Sequence, residues 1–140
     1  MKIIYSLFFL FLSVYAKADT ITSWKVYYNS KLVKQFTFDS SSKEIHINVK
    51  DYKIGDYIAI KYGDDMPCYD CSYEFYVGTE GQEVFFTRVK NKYQLVSIDL
   101  KYIISEDGKD QLKRVFFDLI EIDRNGRRSD GVRLFDIIIN

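Results

Sequence analysis

Apolar and polar side chains alternate with period two through most of this chain, a pattern that predicts half-buried β-strands. Trp24, Val26 and Tyr28 alternate with Lys25, Tyr27 and Asn29, and Asn29-Ser30 can reverse the chain into residues 32–38, so the first pair reads as a hairpin. After a polar loop at 39–43, Ile45, Ile47 and Val49 face one way and Glu44, His46, Asn48 and Lys50 the other. Gly55-Asp56 turns the chain, and Ile58, Ile60 and Tyr62 take the inner face of the next strand. Strands are expected at 72–77 and 83–89, and Val96, Ile98, Leu100, Tyr102 and Ile104 form the longest unbroken alternation. Residues 112–122 are apolar at both parities, as in a strand covered on both faces or a short helix. Val115-Phe116-Phe117 and Ile120 favour the strand. Asn125-Gly126 suits a tight turn into a closing strand over 132–139. Short strands, frequent turns and no convincing helix predict an all-β antiparallel β-sandwich. An immunoglobulin-like Greek key is the preferred arrangement, and a jelly roll or small barrel is the other.

The amino end departs from this pattern. Lys2 precedes an apolar run from Ile3 to Val14 and then Ala16-Lys17-Ala18, which together predict a secretory signal peptide over 1–18. The run is too short to span a bilayer, and no later stretch offers a membrane anchor. Cleavage would leave 19–140 as a single exported domain, periplasmic or extracellular. That domain carries 18 basic and 20 acidic residues, a balance with no general attraction for nucleic acid. Arg124, Arg127, Arg128 and Arg133 are interleaved with Asp123, Asp130 and Asp136, which reads as a solvated loop.

Candidate chemistry is sparse. His46 is the only histidine and falls on the solvent parity of its strand, so a catalytic triad or a three-histidine zinc site would have to include it. No nucleophile elbow, phosphate-binding glycine loop or H-E-x-x-H motif occurs, and Asp123-Arg124-Asn125-Gly126 reads as a turn better than as a calcium loop. A non-enzymatic protein without a cofactor is expected.

Two features remain. Cys68 and Cys71 flank Tyr69-Asp70, and in an exported chain such a pair is expected to close a disulfide. With Met66 the segment spells M-x-C-x-x-C over six residues, similar to the metal-binding loop of copper chaperones of the heavy-metal-associated family. That resemblance implies copper held by Met66, Cys68 and Cys71, in a family that places the motif before a helix. Thiol-disulfide exchange is the third use of such a pair, opposed by the negative charge of Asp64, Asp65, Asp70 and Glu74. The second feature is aromatic. Ten tyrosines, eight phenylalanines and Trp24 follow the leader, and Tyr27, Tyr57 and Tyr76 sit at polar parity. They are the candidate binding surface for an extracytoplasmic protein or glycan, with cross-strand packing as the plainer role. The expected function is a small exported binding module, with extracytoplasmic copper or thiol chemistry at Met66-x-Cys68-x-x-Cys71 as the alternative.

Overall fold

The computed structural model describes residues 22–63, 68–79, 82–90, 94–104 and 114–140, with the side chains of 82–85 excepted. The expected leader, its cleavage point before Asp19, and Met66 lie outside the described residues.

Nine strands occur among the described residues: β1 (Ser23–Tyr28), β2 (Lys31–Thr37), β3 (Glu44–Ile47), β4 (Tyr57–Gly63), β5 (Ser72–Thr79), β6 (Gln82–Val89), β7 (Val96–Asp99), β8 (Arg114–Ile122) and β9 (Val132–Ile139). They form two sheets, ordered β2-β1-β4-β7 and β3-β9-β8-β5-β6. Every pairing is antiparallel except β3 with β9. The sheets pack face to face, so the chain is an all-β antiparallel-dominated β-sandwich.

The alternation explains the packing. Trp24, Val26, Phe36, Ile58 and Ile60 from the first sheet meet Tyr73, Phe75, Phe117, Phe135 and Ile137 from the second, all essentially excluded from solvent. An aromatic column ties the two sheets together. Tyr62 stacks on Trp24 at 6.2 Å between centroids, Trp24 meets Phe36 at 6.1 Å, and Phe36 stacks across the sandwich on Phe135 at 5.9 Å. Phe135 in turn stacks on Phe117 at 4.7 Å. Each such pair contributes about 0.5–1.5 kcal/mol beyond the area it buries.

The first hairpin turns at Asn29 and Ser30, whose φ values of 47° and 67° are those of the mirror-image turn that matches strand twist. Asn29 also fastens the turn to β4. Its Nδ2 donates to Asp56 Oδ1 at 2.6 Å, and its Oδ1 accepts from the Tyr57 amide at 3.0 Å. The Tyr28 hydroxyl and the Lys53 amide donate to the other oxygen of Asp56. These bonds hold the Asp56 carboxyl below its ordinary range, while burial and the Asp56 contact push the Tyr28 phenol well above its own.

Two strands stop earlier than the alternation implies. The run expected to carry Val49 ends at Ile47, where the Asn48 side chain caps a 3-10 turn over Val49–Asp51. The long run from Val96 ends at Asp99, which caps a second 3-10 turn over Leu100–Tyr102 in the same way. In both, an Asn or Asp accepts the amide two residues on, which competes with the ladder. Residues 114–122 are strand, as their composition favours. Their outer parity is buried as well: Phe116 lies beneath the Arg133 guanidinium, 3.8 Å from the ring centroid.

Candidate functional site

The three tyrosines do not share a surface. Tyr27 on β1 and Tyr57 on β4 stand on the outer face of the first sheet, whereas Tyr76 on β5 is on the outer face of the second. Tyr27 pairs directly with Ala59, and Tyr57 is two residues along the same face. Because Ala59 has almost no side chain, the two rings border a hollow of about 310 Å³, completed by Ser30, Lys61 and Leu95. A 2.6 Å hydrogen bond between Ser30 Oγ and the Tyr57 hydroxyl orients that ring.

Tyr76 belongs to a charge layer instead. Its hydroxyl donates to Glu74 Oε2 at 2.8 Å and accepts from Arg128 Nη2 at 2.6 Å. Glu74, only 2% exposed, also pairs with Arg88 and with Arg128 Nη1 at 2.7 Å. Further along the sheet, Arg133 bridges Asp118 and Asp136, and Arg114 pairs with Asp136 and Glu44. Four guanidiniums therefore lie over four carboxylates across five strands. Arg128 and Arg133, expected in a solvated loop, are part of this layer; β9 carries Arg133 onto the sheet face, and Arg128 reaches Glu74. Burial raises the Glu74 pKa, but the bonds from Arg88 and Tyr76 and the charge of Arg128 outweigh it, leaving the carboxyl below its usual range.

A concavity opens between the sheets, at the end where β7 edges one and β6 edges the other. It holds about 700 Å³. Val77, Phe86, Ile98, Ile103 and Val115 make its apolar wall, while Thr79, Thr87, Ser97 and Asp99 supply polar groups. Tyr102, largely exposed, also borders it. Apolar walls with a few polar groups are the usual make-up of a small-molecule site of this size. The reading from sequence missed this cleft, because it depends on which strands become sheet edges.

Cys68 and Cys71 are joined in a disulfide, with Cα atoms 5.3 Å apart. Of the acids expected to oppose thiol chemistry, Asp64 and Asp65 lie outside the described residues and Glu74 is matched by arginines on the outer face, while Glu121 at the end of β8 meets the pair. Its Oε1 lies 3.5 Å from Cys71 Sγ. With the disulfide closed, this is a contact and not a hydrogen bond, since neither sulfur bears a proton. Pairing of Tyr73 with Glu121 and of Ser72 with Ile122 brings the carboxylate there from 50 residues away.

His46 is exposed, as its parity implies, and its Nδ1 meets Asn140 Nδ2 at 3.2 Å. No nucleophile or carboxylate is hydrogen-bonded to it among the described residues, and no catalytic constellation is assembled among them. Asp123 serves a turn: its Oδ1 accepts from the amides of Asn125 at 2.8 Å and Arg127 at 2.9 Å. No protein-family model matches the chain, and no curated protein matches it in sequence.

Proposed function

We propose that the protein is a small, exported, non-enzymatic binding module that takes a mostly apolar small molecule with a polar end into the cleft between its sheets. The observation carrying this reading is the cleft itself, about 700 Å³ with an apolar wall and with hydroxyl and carboxylate groups among its lining. Export is supported by the leader-like residues 1–18 and by the Cys68–Cys71 disulfide, which suits an oxidising compartment. No helix among the described residues is long and apolar enough to cross a membrane. Thr87 lines the cleft, so a Thr87→Trp substitution fills it without removing a core side chain. An environment-sensitive apolar dye should brighten with the native protein and be displaced by medium-chain fatty acids. The Thr87→Trp protein should melt within a few degrees of native and leave the dye dark. A dye signal that persists in a folded Thr87→Trp protein places the ligand elsewhere.

A second reading is favoured by the hollow between Tyr27 and Tyr57, whose flat rings, oriented hydroxyl and Lys61 suit the face of a sugar. On that reading the partner is an extracytoplasmic glycan. Replacing Tyr27 and Tyr57 by alanine then abolishes binding on a glycan array while Thr87→Trp leaves it intact. Retention on a protein partner alone would turn the same surface into a protein interface.

A further inference from the structure

We infer that Cys68, Cys71 and Glu121 form a zinc site that exists only when the disulfide is open. The three residues place one ligand atom each within 4.8 Å of the others, and Glu121 Oε1 is already 3.5 Å from Cys71 Sγ. Zinc bonds of about 2.3 Å to sulfur and about 2.0–2.2 Å to oxygen, at tetrahedral angles, put such ligand atoms about 3.5 Å apart. The carboxylate therefore stands at ligand spacing before any metal arrives. Among the described residues no cation or hydroxyl donor is bonded to the Glu121 side chain, and its neighbour in the oxidised protein is a sulfur without a proton.

Two of the three ligands sit at a short turn, and the third is held on a strand. Cys68 and Cys71 enclose Tyr69 and Asp70, both exposed, and Cys71 leads directly into β5. Ladder bonds between β5 and β8 fix where Glu121 stands relative to Cys71. Opening the disulfide requires only that the two sulfurs separate from bonding distance to ligand spacing, a shift a two-residue loop absorbs locally. Cys68 and Glu121 are both half-buried, so the site reaches solvent. A fourth, tetrahedral position is left for water.

The chemistry balances with a dithiol reductant. Its two thiols give two electrons and two protons to the Cys68–Cys71 bond and close their own disulfide, leaving two cysteine thiols. Zinc then displaces those two protons as it takes both sulfurs as thiolates. Two thiolates and a carboxylate bring three negative charges, which a dication offsets better than a cuprous ion. The oxygen ligand also suits zinc more than copper(I), which prefers sulfur. Glu121 thus replaces Met66 as the third donor, and zinc replaces copper.

The test uses the full mature chain, reduced with a phosphine, desalted without oxygen and titrated with zinc against a chromophoric chelator. Reduced native protein should bind one zinc per chain, and the oxidised protein none. Glu121→Gln should keep its disulfide and native melting temperature when oxidised, yet bind zinc about tenfold or more weakly once reduced. Cobalt in the reduced native protein should give sulfur-to-metal charge-transfer bands with tetrahedral ligand-field bands. Zinc should also raise the melting temperature of reduced native protein but not of the Cys68→Ser/Cys71→Ser protein. Absence of stoichiometric zinc in the reduced chain overturns the proposal, and so does equal affinity in Glu121→Gln. Cuprous ion held more tightly than zinc, with no dependence on Glu121, overturns it as well.

Discussion

Glu74 shows how a single charge can be buried on the outside of a sheet. Its strand parity points it away from the core, yet Arg88, Arg128 and Tyr76 close over it and leave 2% of it exposed. Because its pKa is depressed in the fold, its stabilising contribution is full above the ordinary glutamate value of 4.5 and is lost as pH falls through the lower folded value. Replacing it with glutamine should cost about 1–2 kcal/mol at neutral pH, discounted because both guanidiniums are half exposed. Urea melts of native and Glu74→Gln protein should converge as the pH drops below the folded value; an undiminished gap at low pH would mean the loss is one of shape. Little of this was legible in the sequence. Alternation places Glu74 and Tyr76 on an outer face, but only the register of β5 with β6, together with the path of the loop carrying Arg128, brings the arginines over them.

Elements were legible where alternation is undisturbed and turns are marked. The hairpin at Asn29-Ser30, the strand over 114–122 and the closing strand all stand where pattern puts them. Both misjudged strand ends follow from the same cause, an Asn or Asp whose side chain competes for the amide two residues on. A polar residue able to do this within an alternating run is a signal that can be sought in other chains. The pairing of β3 with β9 in parallel was not legible, since alternation carries no information about direction. The disulfide is a local clasp on the turn into β5. A loop this short should contribute no more than about 2 kcal/mol, so replacing Cys68 and Cys71 together by serine should lower the denaturation midpoint modestly and leave a sheet-dominated circular dichroism spectrum. Loss of the cooperative transition would show that the clasp is required for the fold.

At the scale of the molecule, the strands of the described residues form two sheets of unequal size, and the cleft lies where their edges meet. The first sheet has four strands and the second five, and the cleft forms where β7 faces β5, β6 and β8. Two of the three tyrosines singled out by parity share a hollow, while the third is occupied by Glu74 and Arg128. Parity assigns a residue to a face but not to one sheet or the other, and the two outer faces look in opposite directions. That is why the tyrosines could be named from the sequence and the cleft could not. The most direct measurement is a methyl NMR titration of isotopically labelled mature protein with a medium-chain fatty acid. The account predicts saturable shifts confined to Val77, Ile98, Ile103 and Val115, with the methyls bordering Tyr27 and Tyr57 unmoved. Shifts centred on Ala59 and Leu95, or none at all at saturating ligand, would contradict it.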